Sequence, residues 1–250
     1  MTVAYDGAPF HGFAESEDVE TVMGVLREAL ERIARVPCNL VGAGRTDTGV
    51  HGWGQVVSGD LPDRFDPVDL QHRLNSMCRP HIAVRDMHWV DDPMFNARYS
   101  AQWRHYRYLV LNATDPVPFL AGTAWHVERP LNLWAMQLAC DPIIGEHDFT
   151  AFCRRPKPIE GERERSMNRL VMQAGWRKVS DEHSDALLRF EIRANAFCHQ
   201  MVRALVGTMV DVGLGKMVAG DVRSVLMGRD RSVAGQVAPA HGLCLWEVGY

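Results

Sequence analysis

Four glycines within eleven residues, Gly42-Ala43-Gly44-Arg45-Thr46-Asp47-Thr48-Gly49-Val50-His51-Gly52, surround a single carboxylate, that of Asp47. Glycine turns through positive φ and lets the main chain approach a ligand closely. This spacing therefore predicts a tight loop that presents Asp47 free of neighbouring bulk. A carboxylate held in that way can attack carbon or take up a proton. The same string also reads as an aspartate closing a turn on its own backbone. It does not read as a phosphate cradle, because it lacks a Gly-Lys-Ser/Thr ending and matches neither the P-loop nor the dinucleotide spacing.

Metal and thiol chemistry find little support. The six cysteines (Cys38, Cys78, Cys140, Cys153, Cys198, Cys244) form no C-x-x-C pair and no comb with histidine, so they read as buried thiols, with no zinc site and no disulfide scaffold. No H-x-x-x-H or H-E-x-x-H spacing occurs among the eleven histidines, and His147 beside Asp148 is the nearest approach to a ligand pair. No metal is expected.

The net charge of −4 hides an uneven distribution. Residues 153–178 hold eight bases (Arg154, Arg155, Lys157, Arg163, Arg165, Arg169, Arg177, Lys178) against three acids, and residues 98–108 add Arg98, Arg104 and Arg107 with no acid. Acids gather instead at Glu15, Glu17, Asp18 and Glu20. Basic blocks of this kind are either solvated surface or, interleaved here with Tyr99, Trp103, Tyr106 and Tyr108, a surface for phosphate contact and base stacking. At 250 residues the chain can bury roughly 70 to 75% of its unfolded surface. It has no apolar run near the roughly 18 residues of a membrane span and no signal-peptide pattern, so a cytoplasmic protein is expected.

The periodicity predicts elements able to hold such a loop. An apolar stripe of Val19, Val22, Met23, Leu26, Leu30 and Ile33 predicts a helix from Asp18 or Glu20 to about Arg35. Asp66 followed by Pro67 predicts the cap and first residue of a second helix carrying Leu70, Leu74 and Met77. Asn132 is expected to cap a third, and a long helix is expected over 197–212 with Gly213 as its stop. Strands are expected at 38–42, 53–60, 82–90, 106–112, 169–177, 186–194 and 243–250. The mixture predicts an α+β fold around a largely antiparallel sheet, divided into an N-terminal half, 1–105, and a C-terminal half, 106–250. The Pro- and charge-rich stretch 154–166 reads as a mobile surface loop.

The Gly42–Gly52 string resembles the signature of the tRNA pseudouridine synthase A (TruA-type) family, and the likeness covers essentially the whole chain. Val3-Ala4-Tyr5-Asp6-Gly7 and Phe10-His11-Gly12 are similar to the family's opening. Phe95-Asn96-Ala97-Arg98-Tyr99-Ser100-Ala101, Arg104-His105-Tyr106-Arg107-Tyr108 and Gly145-Glu146-His147-Asp148-Phe149 resemble later blocks. So do Asn195-Ala196-Phe197-Cys198-His199-Gln200-Met201-Val202-Arg203 and Ala238-Pro239-Ala240-His241-Gly242-Leu243. Phe13 stands where Trp is common and Gln200 where a second His is common, the 165–170 region matches loosely, and the first strand is short for the family.

The resemblance implies two α/β halves that share one continuous sheet, with helices on one side, a cleft between the halves, and one catalytic unit. It implies isomerisation of uridine to pseudouridine at tRNA positions 38 to 40 in the anticodon stem-loop, by a homodimer and without a cofactor. Asp47 is then the nucleophile and Arg203 its ion-pair partner. Tyr106 stacks on the uracil and assists loss of the C5 proton, and Arg45 fills the space left by the flipped base. Arg98, Arg104 and His199 join Tyr106 in holding the RNA. Covalent attack and proton abstraction at the sugar both remain open for Asp47. A non-catalytic RNA-binding protein on the same scaffold is the alternative, and a hydrolase using Asp47 with His51 or His147 is a weaker one.

Overall fold

The computed structural model of the chain describes residues 1–155 and 166–250. The surface loop expected at 154–166 thus lies almost wholly outside the described residues, as do Lys157, Arg163 and Arg165 of the basic stretch. The chain forms two compact units, Met1–Arg104 with Cys244–Tyr250, and His105–Leu243.

In the first unit four strands lie in the order β4 (Ile82–Arg85), β1 (Thr2–Tyr5), β3 (His51–Gly59), β10 (Leu243–Gly249), and β2 (Leu40–Gly42) pairs antiparallel with β3. β1 is antiparallel to both neighbours, so the short first strand is interior to its sheet. β10 runs parallel to β3, with Cys244 opposite His51 and Leu245 opposite Gly52. Val3 and Tyr5 of β1 face a core shared with Val57, Ile82 and Val84 and with two helices, α1 (Val22–Ala34) and α2 (Pro67–Cys78). Val22, Met23, Leu26 and Leu30 form the buried stripe of α1, and burying each such side chain contributes about 1.5–3 kcal/mol.

The start of α1 differs from expectation. Thr21 is the cap, its hydroxyl accepting from Gly24 N at 3.2 Å. Asp18 has φ 61°, outside the extended geometry a capping residue needs. Asp66 caps α2 as its sequence predicts, accepting from Val68 N and Asp69 N at 3.3 Å each, with Pro67 in the first turn.

The second unit carries β5 (Trp103–Leu111), whose first two residues belong to the first unit, then β9 (Leu187–Ala194), β8 (Asn168–Val179) and β7 (Gly145–Asp148) in that order. β7–β8 and β8–β9 are antiparallel, and β6 (Trp125–His126) lies parallel on β5. β9 alternates as expected, Leu188, Phe190, Ile192 and Ala194 inward and Arg189, Glu191 and Arg193 on the other face. Asn132 caps the short α3 (Leu133–Leu138) through Ala135 N at 3.1 Å.

α4 (Met201–Gly213) begins four residues later than the sequence suggests, because Gln200 takes the left-handed conformation, φ 64°. It also runs through Gly213, and the left-handed residue beyond its end is Gly215, φ 73°. Apolar residues cover almost its whole circumference, which makes it a buried helix; Arg203 is one of the few positions left partly open. α5 (Asp221–Gly228) was not foreseen; its apolar contribution is only Val222, Val225 and Leu226. Mixed, largely antiparallel strands with helices make this an α+β fold, as read from the sequence. No helix among the described residues is long and apolar enough to cross a membrane.

Candidate active site

The glycine-rich string joins β2 to β3, which are paired at Gly42 and Val57. Gln55 is completely buried and grips both main-chain groups of Gly44, accepting from its N at 3.2 Å and donating to its O at 2.8 Å. The Thr46 hydroxyl meets the Tyr5 hydroxyl at 2.8 Å, and Thr46 O accepts from Phe13 N at 3.1 Å. Thr46 is therefore drawn inward, while Arg45 is exposed and Asp47 half-buried. A turn follows in which Val50 N donates to Asp47 O at 3.1 Å and Gly49 has φ 76°. The turn is closed by the main-chain carbonyl of Asp47, so closing it does not require the carboxylate.

The segment Phe10-His11-Gly12 lies against this loop. Gly12 has φ 103°, and a Cβ there would sit 3.1 Å from Thr46 O. His51 Nδ1 accepts from Gly7 N at 3.1 Å, which gives His51 a bracing role. His147, the other histidine of the hydrolase alternative, bonds Ile144 O through Nε2 at 2.9 Å. Its neighbour Asp148 accepts from Thr150 N and Oγ1 and pairs with Arg229.

Two expected RNA contacts differ in kind. Arg98 is exposed, its guanidinium 5.4 Å from the ring centre of the equally exposed Tyr99. The main chain beneath them is fixed by Asn96 Oδ1, which accepts from both their amides, and by Ala97 N on Ser58 Oγ. Arg104, in contrast, bonds the protein's own carbonyls: Ala43 O at 3.0 Å, Ala101 O at 3.1 Å and Arg98 O at 2.7 Å. It is a splint at the root of the Asp47 loop. Arg104→Met is expected to cost about 1–3 kcal/mol in urea unfolding, the penalty for orphaned carbonyls, and to lower turnover through the loosened loop.

In the second unit Tyr106 lies on β5, 8% exposed, with Phe197 edge-on at 5.0 Å between ring centres. Two residues on, Tyr108 donates to Pro239 O at 2.8 Å, and burial drives its phenol well above the ordinary range, with the Arg203 charge opposing. Arg203 Nε donates to Ala238 O at 2.7 Å, and Ala238 N returns a bond to Arg203 O at 3.1 Å. This reciprocal pair fixes both the guanidinium and the segment 236–239 against α4. His199 is exposed, just ahead of that helix.

Arg107 and Arg177, both counted in the basic stretches, converge with Arg189 on Glu191. Burial alone pushes the Glu191 carboxyl up, but the Arg177 hydrogen bond and the charges of Arg189, Arg107 and Arg177 together hold it below the ordinary carboxylate range. The cysteine reading is corrected for one pair. Cys153 and Cys198, 45 residues apart, are joined in a disulfide, while Cys38, Cys78 and Cys140 are buried thiols. Sequence reasoning also missed the supports Tyr5, Gln55, Phe197 and Ala238; a glutamine directly before the apolar pair Val56-Val57 was the one visible signal.

A family model described as tRNA pseudouridine synthase matches residues 1–100 and 139–250, which include the Asp47 loop and the Arg203 helix. The chain belongs to that family. Relatives named tRNA pseudouridine synthase A align along 99–100% of its length. The one from Thermoanaerobacter sp. (strain X514) is 36% identical over 250 residues, covering 100% of this chain and 98% of the relative. Those from Brevibacillus brevis and Beijerinckia indica are 38% identical over 248 residues and 39% over 254, covering 99% and 100% of this chain and 97% and 92% of the relatives. This pseudouridine synthase thus keeps its glycine-rich loop within a framework of interior hydrogen bonds, with Arg45 and Asp47 left toward the surface.

Proposed function

We propose that this synthase isomerises uridine to pseudouridine in tRNA, at positions 38 to 40 of the anticodon stem-loop, acting in the cytoplasm as a homodimer. The observation that carries the reading is the family match over both units, combined with an Asp47 loop whose shape is fixed without using the aspartate side chain to close its turn.

The reaction breaks the C–N glycosidic bond, turns the base and joins its C5 to the sugar. It is redox-neutral and needs no cofactor or metal. Asp47 serves as the carboxylate, by attack on a substrate carbon or by taking a sugar proton while the base is detached. Arg203 holds that carboxylate charged and oriented, as a planar, permanently cationic group is suited to do. A stacked uridine hides its C5 face, so the nucleotide must leave the helix at a cost of a few kcal/mol. Arg45 occupies the vacated space, and Arg98 and His199 hold the backbone. Exposure of the Arg98–Tyr99 pair supports this role for Arg98; the bonds already made by Arg104 favour a positioning role for that residue.

Tyr106 stacks on the uracil and takes part in removing the C5 proton, its ring held edge-on by Phe197. Tyr106→Phe keeps the ring and deletes the hydroxyl. Turnover is expected to fall on the order of 10²–10⁴-fold, the usual worth of a general acid or base, with tRNA affinity retained. Unaltered turnover removes the proton role.

The decisive experiment maps pseudouridine at nucleotide resolution on an unmodified tRNA transcript after incubation with the protein. Product at positions 38 to 40, and none on transcripts with those uridines replaced, is the expected result. Tight binding with no product at any position establishes the non-catalytic alternative.

A further inference from the structure

We propose that Cys153 and Cys198 are a thiol–disulfide modification site that fixes the approach to α4, formed by exchange with low-molecular-weight disulfides of the glutathione type. The pair's Cα atoms lie 5.8 Å apart, inside the 4.4–6.8 Å span that a disulfide bridges without moving the backbone. The two ends are differently held. Cys153 follows Thr150–Phe152, all buried, and is itself 2% exposed. Cys198 belongs to the segment 195–200, which is half-buried or exposed throughout.

The bond therefore ties a loosely packed segment to a rigid part of the core, and that segment carries three groups of interest. Phe197 sets the ring of Tyr106, His199 follows the cysteine, and Arg203 lies five residues on in α4. One main-chain bond, Arg154 N to His199 O at 3.0 Å, spans the same gap, so the register between the two segments is set even without the sulfurs. Oxidation converts that register into a covalent clamp on Phe197, and hence on Tyr106.

The unequal exposure sets the order of exchange. The Cys198 thiolate attacks one sulfur of the small disulfide and expels one thiol. The Cys153 thiolate then attacks the Cys198 sulfur and expels the second, so two protein thiols are oxidised and one small disulfide is reduced to two thiols, which carry away the two protein protons. Cys38, Cys78 and Cys140 do not compete, since all three are buried away from the small disulfide and burial pushes their thiols up.

The test uses the full chain carrying Cys244→Ser, which removes the remaining half-buried thiol, and oxidised glutathione as the probe. Intact mass and peptide mapping should show a product lighter by two hydrogens with Cys153 linked to Cys198. Cys153→Ser should accumulate a glutathione adduct on Cys198, and Cys198→Ser should stay unmodified. An adduct on Cys153 in the latter variant, or no linkage at full oxidation, overturns the proposal.

The oxidised protein should melt on the order of 10 °C above the reduced one, given the long loop that the bond closes. The catalytic arm rests on the isomerase reading. Reduction should lower pseudouridine formation about tenfold, less than the hundredfold that a 1 Å displacement can cost. Cys153→Ser, kept free of the glutathione adduct, should show the turnover of the reduced protein. Equal turnover of the two forms overturns the clamp. Absence of turnover in both forms overturns the isomerase reading instead, while the mass and melting results still decide the bond.

Discussion

Asp47→Asn is expected to abolish pseudouridine formation, with single-turnover rates on unmodified tRNA falling on the order of 10⁴-fold or more, as for other residues that act directly in bond making. The substitution keeps size and hydrogen-bonding shape while removing the ionisable group. The loop should survive it. Its turn is closed by Asp47 O, Gly44 is held by Gln55, and Thr46 is held by Tyr5 and Phe13. The variant should therefore remain folded and bind tRNA, and any fall in melting temperature reports the contacts of the carboxylate itself. Asp47→Glu supplies the control, since a carboxylate displaced by one methylene should still lose about 10²-fold through misplacement alone. Retained turnover in Asp47→Asn would remove the carboxylate from the chemistry under both routes.

The second large effect concerns a residue with no chemistry of its own. A Cβ on Gly207 would lie 1.8 Å from Gln236 O and 2.8 Å from Gln236 C, both main-chain atoms with no flexible end to yield. Gly207→Ala must push the 236–239 segment off α4, one turn beyond Arg203. Overpacking of this kind costs about 1–3 kcal/mol and at times more, so the melting temperature should fall by roughly 5–10 °C. The segment that moves contains Ala238, whose carbonyl orients Arg203 and whose amide bonds Arg203 O. Turnover should accordingly drop more than tRNA binding does, measured at a temperature where the variant is still folded. An unchanged melting temperature would contradict the close approach at Gly207.

Features legible in the sequence were those set by local chemistry. Asp66 with Pro67 caps α2, Asn132 caps α3, and the alternation of 187–194 gives a half-buried strand, because each depends on neighbours in the chain. Where the sequence misled, a main-chain conformation decided. Asp18 and Gln200 both take positive φ and so exclude themselves from the helices that their surroundings suggested. Gly213 reads as a stop, yet Asn132 N bonds Gly213 O and the chain turns only at Gly215.

The site followed the same rule. The Asp47 loop announced itself through glycine spacing and through its resemblance to a known family. Its supports did not, because Tyr5, Gln55 and Ala238 act through contacts between residues far apart in sequence. The Cys153–Cys198 bond was invisible for the same reason, two unremarkable cysteines being separated by 45 positions. Arg104 shows the converse, a basic residue whose composition suggested phosphate and whose guanidinium instead bonds three carbonyls.

The parallel pairing of β10 with β3 bears on how the protein is made. Cys244 and Leu245 lie beside His51 and Gly52, immediately after the Asp47 loop, although nearly two hundred residues separate them in the chain. During translation β1 to β4 emerge early, but β3 cannot acquire this neighbour until residues 243–249 have left the ribosome. Until then the His51–Gly52 end of β3 lacks its pairing strand on that edge, although β2 already pairs with Val57–Gly59. The nascent polypeptide thus completes the sheet of its first unit only after the whole of the second unit, residues 105–243, has been synthesised, a built-in delay that ties assembly of the reactive loop to the passage of that unit.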